Sequence, residues 1–295
     1  MNLKEDLKNI LIHELTQLGE NVSKSSNIKE LVRLHINLLT KLIHPQPRKI
    51  HKSKIFLTKE QILHEPFKKA LQDICYKLEI GIDVNGHLSK QSTNPSYNDL
   101  LLNDWAIHHL HISNKKKNTN QLFYDRSDWL FFVLLKPKDI YLLDIYRHGD
   151  QFVFSKQDLL KQIKHNWPEI LKPFEATGFE GVTKTFNDED ISRLRKVGIN
   201  VVNVIDDIAI FPIGGGLSTA GTNINHTMEV NRMLLILENI EQQLHEKKSF
   251  VEKELKKYKV NKKDDIDFEL YVNDQGGFAI REKKTKININ FIIKC

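Results

Sequence analysis

The chain has little cysteine: Cys75 and Cys295 are the two thiols in 295 residues. That number excludes a disulfide framework and makes a reducing cytoplasm the expected setting. It also has no run of 18 apolar residues, so no membrane span is expected. The N-terminus, MNLKEDLKNILIHEL, is amphipathic and mixed in charge, without the uninterrupted apolar core of a secretory signal. Internal repeats and low-complexity tracts are missing. So are an HExxH zinc pattern, a GxGxxG fingerprint and the GK[ST] ending of a phosphate loop. These absences remove several common enzyme classes and leave a composition ordinary for a soluble protein, 40% hydrophobic and 28% charged.

What is present begins with charge. Lys and Arg outnumber Asp and Glu by 44 to 38, a net +6. Such a balance suits a polyanionic partner, because positive charge attracts nucleic acid at long range and releases its counterions. The lysines and arginines cluster at Arg48–Lys54, at Lys115, Lys116 and Lys117, and at Lys283–Lys286. Each cluster by itself reads as a solvated loop.

The spacing of apolar residues predicts an α+β fold in three sections. Residues 1–90 form a helical N-terminal section. Leucines at 3, 7, 11 and 15 mark its first helix, a second runs over about 28–43 up to Pro45, and a third follows Thr58 with Pro66 as an interruption. Residues 91–222 form a central section with an antiparallel sheet and short helices. Its strands are AIHHLHI, SDWLFFVLL and DIYLLDIY, the last two joined as a hairpin through Lys136–Asp139. A short helix capped by Asn187 and two brief strands, INVVNVI and DIAIFPI, complete it. Residues 223–295 form a long helix, from about His226 to Tyr258, and a β-hairpin or three-stranded tail. The long helix also offers a surface for homo-oligomerisation.

The strand AIHHLHI carries His108, His109 and His111. Side chains alternate along a strand, which puts His109 and His111 on one face and His108 on the other. Tyr146, Arg147 and His148 end the third predicted strand, and Arg126 precedes the second. If the three strands are neighbours, these groups converge. Three accounts fit: structural histidines, a metal site built on His109-x-His111 with His148 or an acid, or cleavage of RNA without metal or cofactor. The last needs a base for the 2′-hydroxyl, an acid for the leaving oxygen and a cation for the charged phosphorane. His109 and His111 are candidates for base and acid in either order. Arg126 and Arg147 are candidates for phosphate binding, assisted by Tyr146 or His148. A non-catalytic nucleic-acid- or protein-binding module and a metal-dependent nuclease are the alternatives.

The order HHLHI, RSDWLFFVL, IYLLDIYRHG and NWPE, between Asp104 and Glu169, resembles uncharacterised bacterial proteins linked to toxin or phage-defence functions. A helical segment followed by a compact sheet with His and Arg is also similar to the RelE-like and EndoU-like metal-independent ribonucleases. The resemblance implies functional roles for His109, His111, Arg126 and Arg147. The leading expectation is an endoribonuclease acting on RNA to give a 2′,3′-cyclic phosphate and a 5′-hydroxyl, with an antitoxin or regulatory protein as a further expected partner.

The second candidate element is Gly214-Gly215-Gly216-Leu217-Ser218-Thr219, between a predicted strand and the long helix. Glycines let backbone approach a phosphate, and Ser218 and Thr219 offer donors. The competing reading is a flexible linker. With Lys115, Lys116 and Lys117, the loop makes up the expected substrate-binding set.

Overall fold

The computed structural model describes residues 1–116, 118, 120–176, 185–246, 266–274 and 276–289. Its elements in chain order are α1 (Leu3–Gln17), α2 (Ile28–Lys41), β1 (Lys49–Lys52), α3 (Lys54–Ile62), α4 (Phe67–Ile80), α5 (Leu100–Trp105), β2 (Ile107–His111), β3 (Trp129–Leu135), β4 (Asp139–Arg147), α6 (Asp158–Asn166), α7 (Pro168–Leu171), α8 (Asp188–Lys196), β5 (Asn203–Ile205), β6 (Ile208–Ile210), α9 (Ile224–Glu246), β7 (Phe268–Val272), β8 (Phe278–Glu282) and β9 (Asn288–Ile289). The fold is α+β. The chain divides into two compact units, Met1–Asn37 with His226–Cys295, and Leu38–Asn225.

The first unit is built on helical stripes. Leu3, Leu7, Leu11 and Leu15 of α1 are fully buried with Leu31 and Val32 of α2 and with Val230, Leu234 and Leu237 of α9. Asn2 caps α1 by accepting from the amide of Glu5 at 2.9 Å. The antiparallel sheet β7-β8-β9 adds Phe268, Leu270 and Ile280 to the same core. The remainder of the expected long helix, to Tyr258, lies outside the described residues.

The second unit is built around a four-stranded sheet ordered β1-β4-β3-β2. β2, β3 and β4 pair antiparallel, whereas β1 runs parallel to β4 with Lys49 opposite Asp139. The sheet is therefore mixed rather than purely antiparallel. Both its faces are covered, which explains why WLFFVLL is a continuous apolar run without alternation. Leu130, Phe132 and Leu134 join Trp105 of α5 with Leu159, Leu160 and Ile163 of α6. Phe131 and Val133 join Phe56 of α3 with Leu71 and Ile74 of α4.

A bulge interrupts the β3–β4 pairing. Phe132 opposes Asp144 but Val133 opposes Leu142, so Leu143 has no counterpart. Among the described residues, no strand pairs with β4 on its β1 side beyond Leu142, and α3 packs there. Ser53 caps α3 through Oγ, which also donates to the Leu143 carbonyl at 2.6 Å, and Lys59 donates to the Ile145 carbonyl at 2.8 Å.

The units also correct the expected boundaries. The helices after Pro45 do not form one N-terminal section with α1: α3, α4 and the strand β1 pack on the central sheet. The third predicted helix is two helices, parted before Phe67, and α3 starts at its Ser53 cap rather than at Thr58. Thr58 instead lies inside α3 and bonds the Lys54 carbonyl.

Candidate functional site

The second unit contains a cavity of 610 Å³, within the range of small-molecule sites. Its construction starts at α5, where Asp99 accepts from the Leu102 amide at 3.0 Å and caps the helix. Ala106 ends the helix in the left-handed region, at φ 55°, and turns the chain directly into β2. Being the edge strand, β2 contributes side chains of both its faces to the cavity: His108, His109 and His111 all line it. The face alternation expected from the sequence holds, but it does not separate the three rings from one space.

His148, just past the end of β4, completes the group. Its ring centroid lies 5.8 Å from that of His111, with the planes 20° apart. His109 is 6.3 Å from His111 and 4.9 Å from Phe154. Phe154 also stands edge-on to His148 at 6.2 Å. Arg126 lines the cavity, is itself exposed, and also borders a second cavity of 270 Å³.

Burial sets the charge state of the rings. Loss of solvent lowers His111 to about 4, helped by repulsion from His109 and His148, and opposed by a backbone hydrogen bond at Ser127. The same cause lowers His108 to about 4, against the attraction of Asp99 and a bond between Nε2 and the Thr40 carbonyl at 3.1 Å. His109 is lowered too, again by desolvation first, with Asp99 opposing and His148 reinforcing. The buried imidazoles are therefore neutral near pH 7 and competent as proton acceptors.

Two candidates lie elsewhere. Tyr146 is not in the cavity lining. Its ring is covered by Lys59 Nζ at 4.0 Å and Lys156 Nζ at 5.3 Å, beside the buried carboxylate of Asp144, which pairs with Lys59 at 2.6 Å. Desolvation and that carboxylate push its phenol well above the usual tyrosine value. Arg147 points away as well, its guanidinium stacked on Trp129 at 5.1 Å. The two residues sit at the end of β4, past its pairing with β1, where Lys59 of α3 and Trp129 capture them.

The expected substrate-binding set is dispersed. Lys115 lines the smaller cavity with Arg126, so it adjoins the histidines only by way of that arginine. Lys116 covers the ring of Tyr124 at 4.6 Å, whose ring is stacked on His87 at 4.0 Å. Lys117 lies outside the described residues. The glycine loop is neither an anion cradle nor a loose linker. The amides of Gly214 and Gly216 donate to the carbonyls of Asp104 and Asn103, both at 2.9 Å, and that of Gly215 donates to Pro212 at 3.1 Å. Ser218 bonds Thr222 through both amide and hydroxyl, while Thr219 is exposed. With those amides engaged, none of the glycines lines the cavity, and the loop serves to buckle the chain behind α5.

Other lining residues carry no signal in sequence. Arg195 sits in the charged string DEDISRLRK yet is buried, donating to Asp104 at 2.6 Å and to the Phe154 carbonyl at 2.6 Å. Its guanidinium stacks on Trp105 at 3.9 Å. Lys41 is buried at the end of α2 and donates to the carbonyls of Asn94 and Tyr97. The capping pattern Asp99-x-x-Leu102 was the one available hint to Asp99. Among the described residues, no group of three or more His, Cys, Asp or Glu is arranged to hold a metal ion. No helix among them is long and apolar enough to cross a membrane. Comparison of the chain with protein-family models, curated proteins and solved structures returns no match.

Proposed function

We propose that the histidine cavity cleaves RNA by metal-independent phosphodiester transfer, in the cytoplasm and as a toxin or phage-defence effector. The observation that carries this reading is the stack of His111 on His148 at 5.8 Å, inside a cavity that Arg126 also lines. The chemistry asks for two imidazoles and a fixed cation around one phosphate, and this arrangement supplies them.

His111, neutral because it is desolvated, is the base that takes the proton of the 2′-hydroxyl. The freed oxygen attacks phosphorus. His148, exposed at the mouth where solvent can return its proton, is the acid that protonates the departing 5′-oxygen. Arg126 faces the phosphorane charge with a permanent bidentate cation. His109 sits between His111 and Phe154 and holds the base in position. The products are a 2′,3′-cyclic phosphate and a 5′-hydroxyl, with atoms and protons balanced.

The test is incubation of the purified chain with RNA in the presence of chelator, beside His111→Ala, His148→Ala and Arg126→Ala. Cleavage by the parent alone, with cyclic-phosphate ends, is the expected result. The competing reading is a non-catalytic RNA- or protein-binding module. It is favoured by the burial of His108 and its bond to the Thr40 carbonyl, a structural use of one imidazole. RNA binding without cleavage in the parent selects it. Cleavage that vanishes with chelator selects a metal-dependent nuclease.

A further inference from the structure

Two carboxylates line the cavity where a phosphate site would have none, Asp99 and Asp150, and Asp150 accepts from the Arg147 amide at 3.1 Å. Asp99 lines the cavity among Lys41, Arg126, Arg195 and Lys196, and faces His108 and His109 closely enough to raise the proton affinity of each. Its Oδ1 accepts from the Leu102 amide, and among the described residues no donor is bonded to Oδ2. The neighbouring amide is spent: Asn98 accepts from Asn103 at 2.9 Å and donates to the Gly221 carbonyl at 3.1 Å. Tyr97, 40% exposed and also lining the cavity, carries Lys41 Nζ over its ring at 5.7 Å and adds an aromatic group to the lining near the carboxylate.

A carboxylate repels phosphate and accepts hydrogen bonds. Its ligand must therefore be the part of a nucleotide that donates. Adenine and cytosine each present, on the base-pairing edge, one amino donor beside a ring acceptor, and uracil presents one donor between two acceptors. Guanine alone presents two adjacent donors, N1–H and N2–H, which match the two oxygens or two lone pairs of a carboxylate. Those donors are accessible only when the base is unpaired, and a ring on Tyr97 would stack on it.

We infer that Asp99 and Tyr97 form a subsite for an unpaired guanine, with its phosphate directed to Arg126 and the histidines. The inference rests on the RNA-cleaving reading for the direction of the phosphate, but the base contact itself does not require catalysis.

The measurement is calorimetric binding of guanosine, adenosine, cytidine and uridine 3′-monophosphates to the full chain. Guanosine monophosphate should bind about tenfold to a hundredfold tighter than the others, the discrimination of one good bidentate contact. Asp99→Asn and Asp99→Ser both retain a residue able to cap α5, so the fold should survive, as melting temperature would verify. Each should bring the four nucleotides to parity. Arg126→Ala should weaken all four alike. Equal binding of all four by the parent, binding of none, or a guanine preference that outlasts both Asp99 variants overturns the inference. Guanine-selective binding without RNA cleavage upholds the subsite and removes the ribonuclease reading instead.

Discussion

The Nε of Arg195 donates to Oδ2 of Asp104 at 2.6 Å, and both side chains are buried. Burial raises the carboxyl of Asp104 and lowers the guanidinium of Arg195, while each partner pulls the other back toward its charged form. The pair also reaches the cavity, because Nη1 of Arg195 holds the Phe154 carbonyl and Phe154 packs on His109. Removing one partner leaves a buried charge unpaired, at a cost of about 3–5 kcal/mol. Arg195→Met and Asp104→Asn should each lower stability by that order in denaturant titration. The double variant should lose less than the sum. Additive losses would show that the two residues act independently.

The lowered histidines make stability depend on pH. His87, His108 and His111 are each depressed from 6.5 to about 4, with desolvation as the leading cause. A ring with a depressed folded value binds fewer protons in the native state than in the unfolded one. Its contribution is complete above about 6.5 and diminishes as pH falls toward 4. The loss should be on the order of 1–3 kcal/mol for each ring across that window. Urea midpoints at pH 7 and pH 4.5 measure it, and His108→Gln should flatten the slope. Identical midpoints would contradict neutral burial of these rings.

The same depression shapes the activity profile. With His111 as base, kcat/KM for RNA should hold as pH falls through 6.5 and bend nearer to 4. His111→Ala should cost roughly 10²–10⁴ in rate. Arg126→Ala should cost about 10²–10³, the scale of one lost transition-state donor. Tyr146→Phe and Arg147→Ala lie outside the lining and should stay within about twofold. An Arg147→Ala variant as impaired as Arg126→Ala would reassign the phosphate contact.

Gly214 is a packing position. A Cβ there would stand 2.3 Å from the Leu102 carbonyl oxygen and 2.5 Å from that of Asn103. Gly214→Ala should therefore lower the melting temperature sharply, whereas Gly149→Ala, with open space around it, should change it little. Equal effects at the two positions would contradict the buckled loop. Added phosphate should leave the proteolysis rate of the loop unchanged.

The fold class was legible because its signals are local. The leucine stripe of α1, the capping box of Asn187 with Asp190 and the Lys136–Asp139 turn of the β3–β4 hairpin each need only a few neighbouring residues. β1 was not legible: KIHK lies in a basic run and becomes a strand only because β4 offers it a partner 90 residues later. The site divided in the same way. His109, His111, His148 and Arg126 follow from strand alternation and hairpin geometry. Asp99 and Arg195 do not, since a charged residue in a polar segment looks solvated until tertiary packing encloses it. The packing of the glycine loop was not legible for the opposite reason, two of its three glycine amides being satisfied by carbonyls 110 and more residues upstream.

The extra residue at Leu143 works as a half-period offset in β4. Upstream of it, odd-numbered positions such as Tyr141 belong to the layer of α6, and downstream that layer is shared by the even-numbered Tyr146. Excising Leu143 would leave Phe132 opposite Asp144 and Val133 opposite Leu142, so β4 would straighten with its later faces unchanged. Pairing Leu143 with Phe132 instead would invert the parity of all that follows: Ile145 and Arg147 would rotate toward the imidazoles, and His148 would rotate away. The meeting of His148 with His111 thus depends on that one residue staying out of the ladder, and not on its presence in the chain.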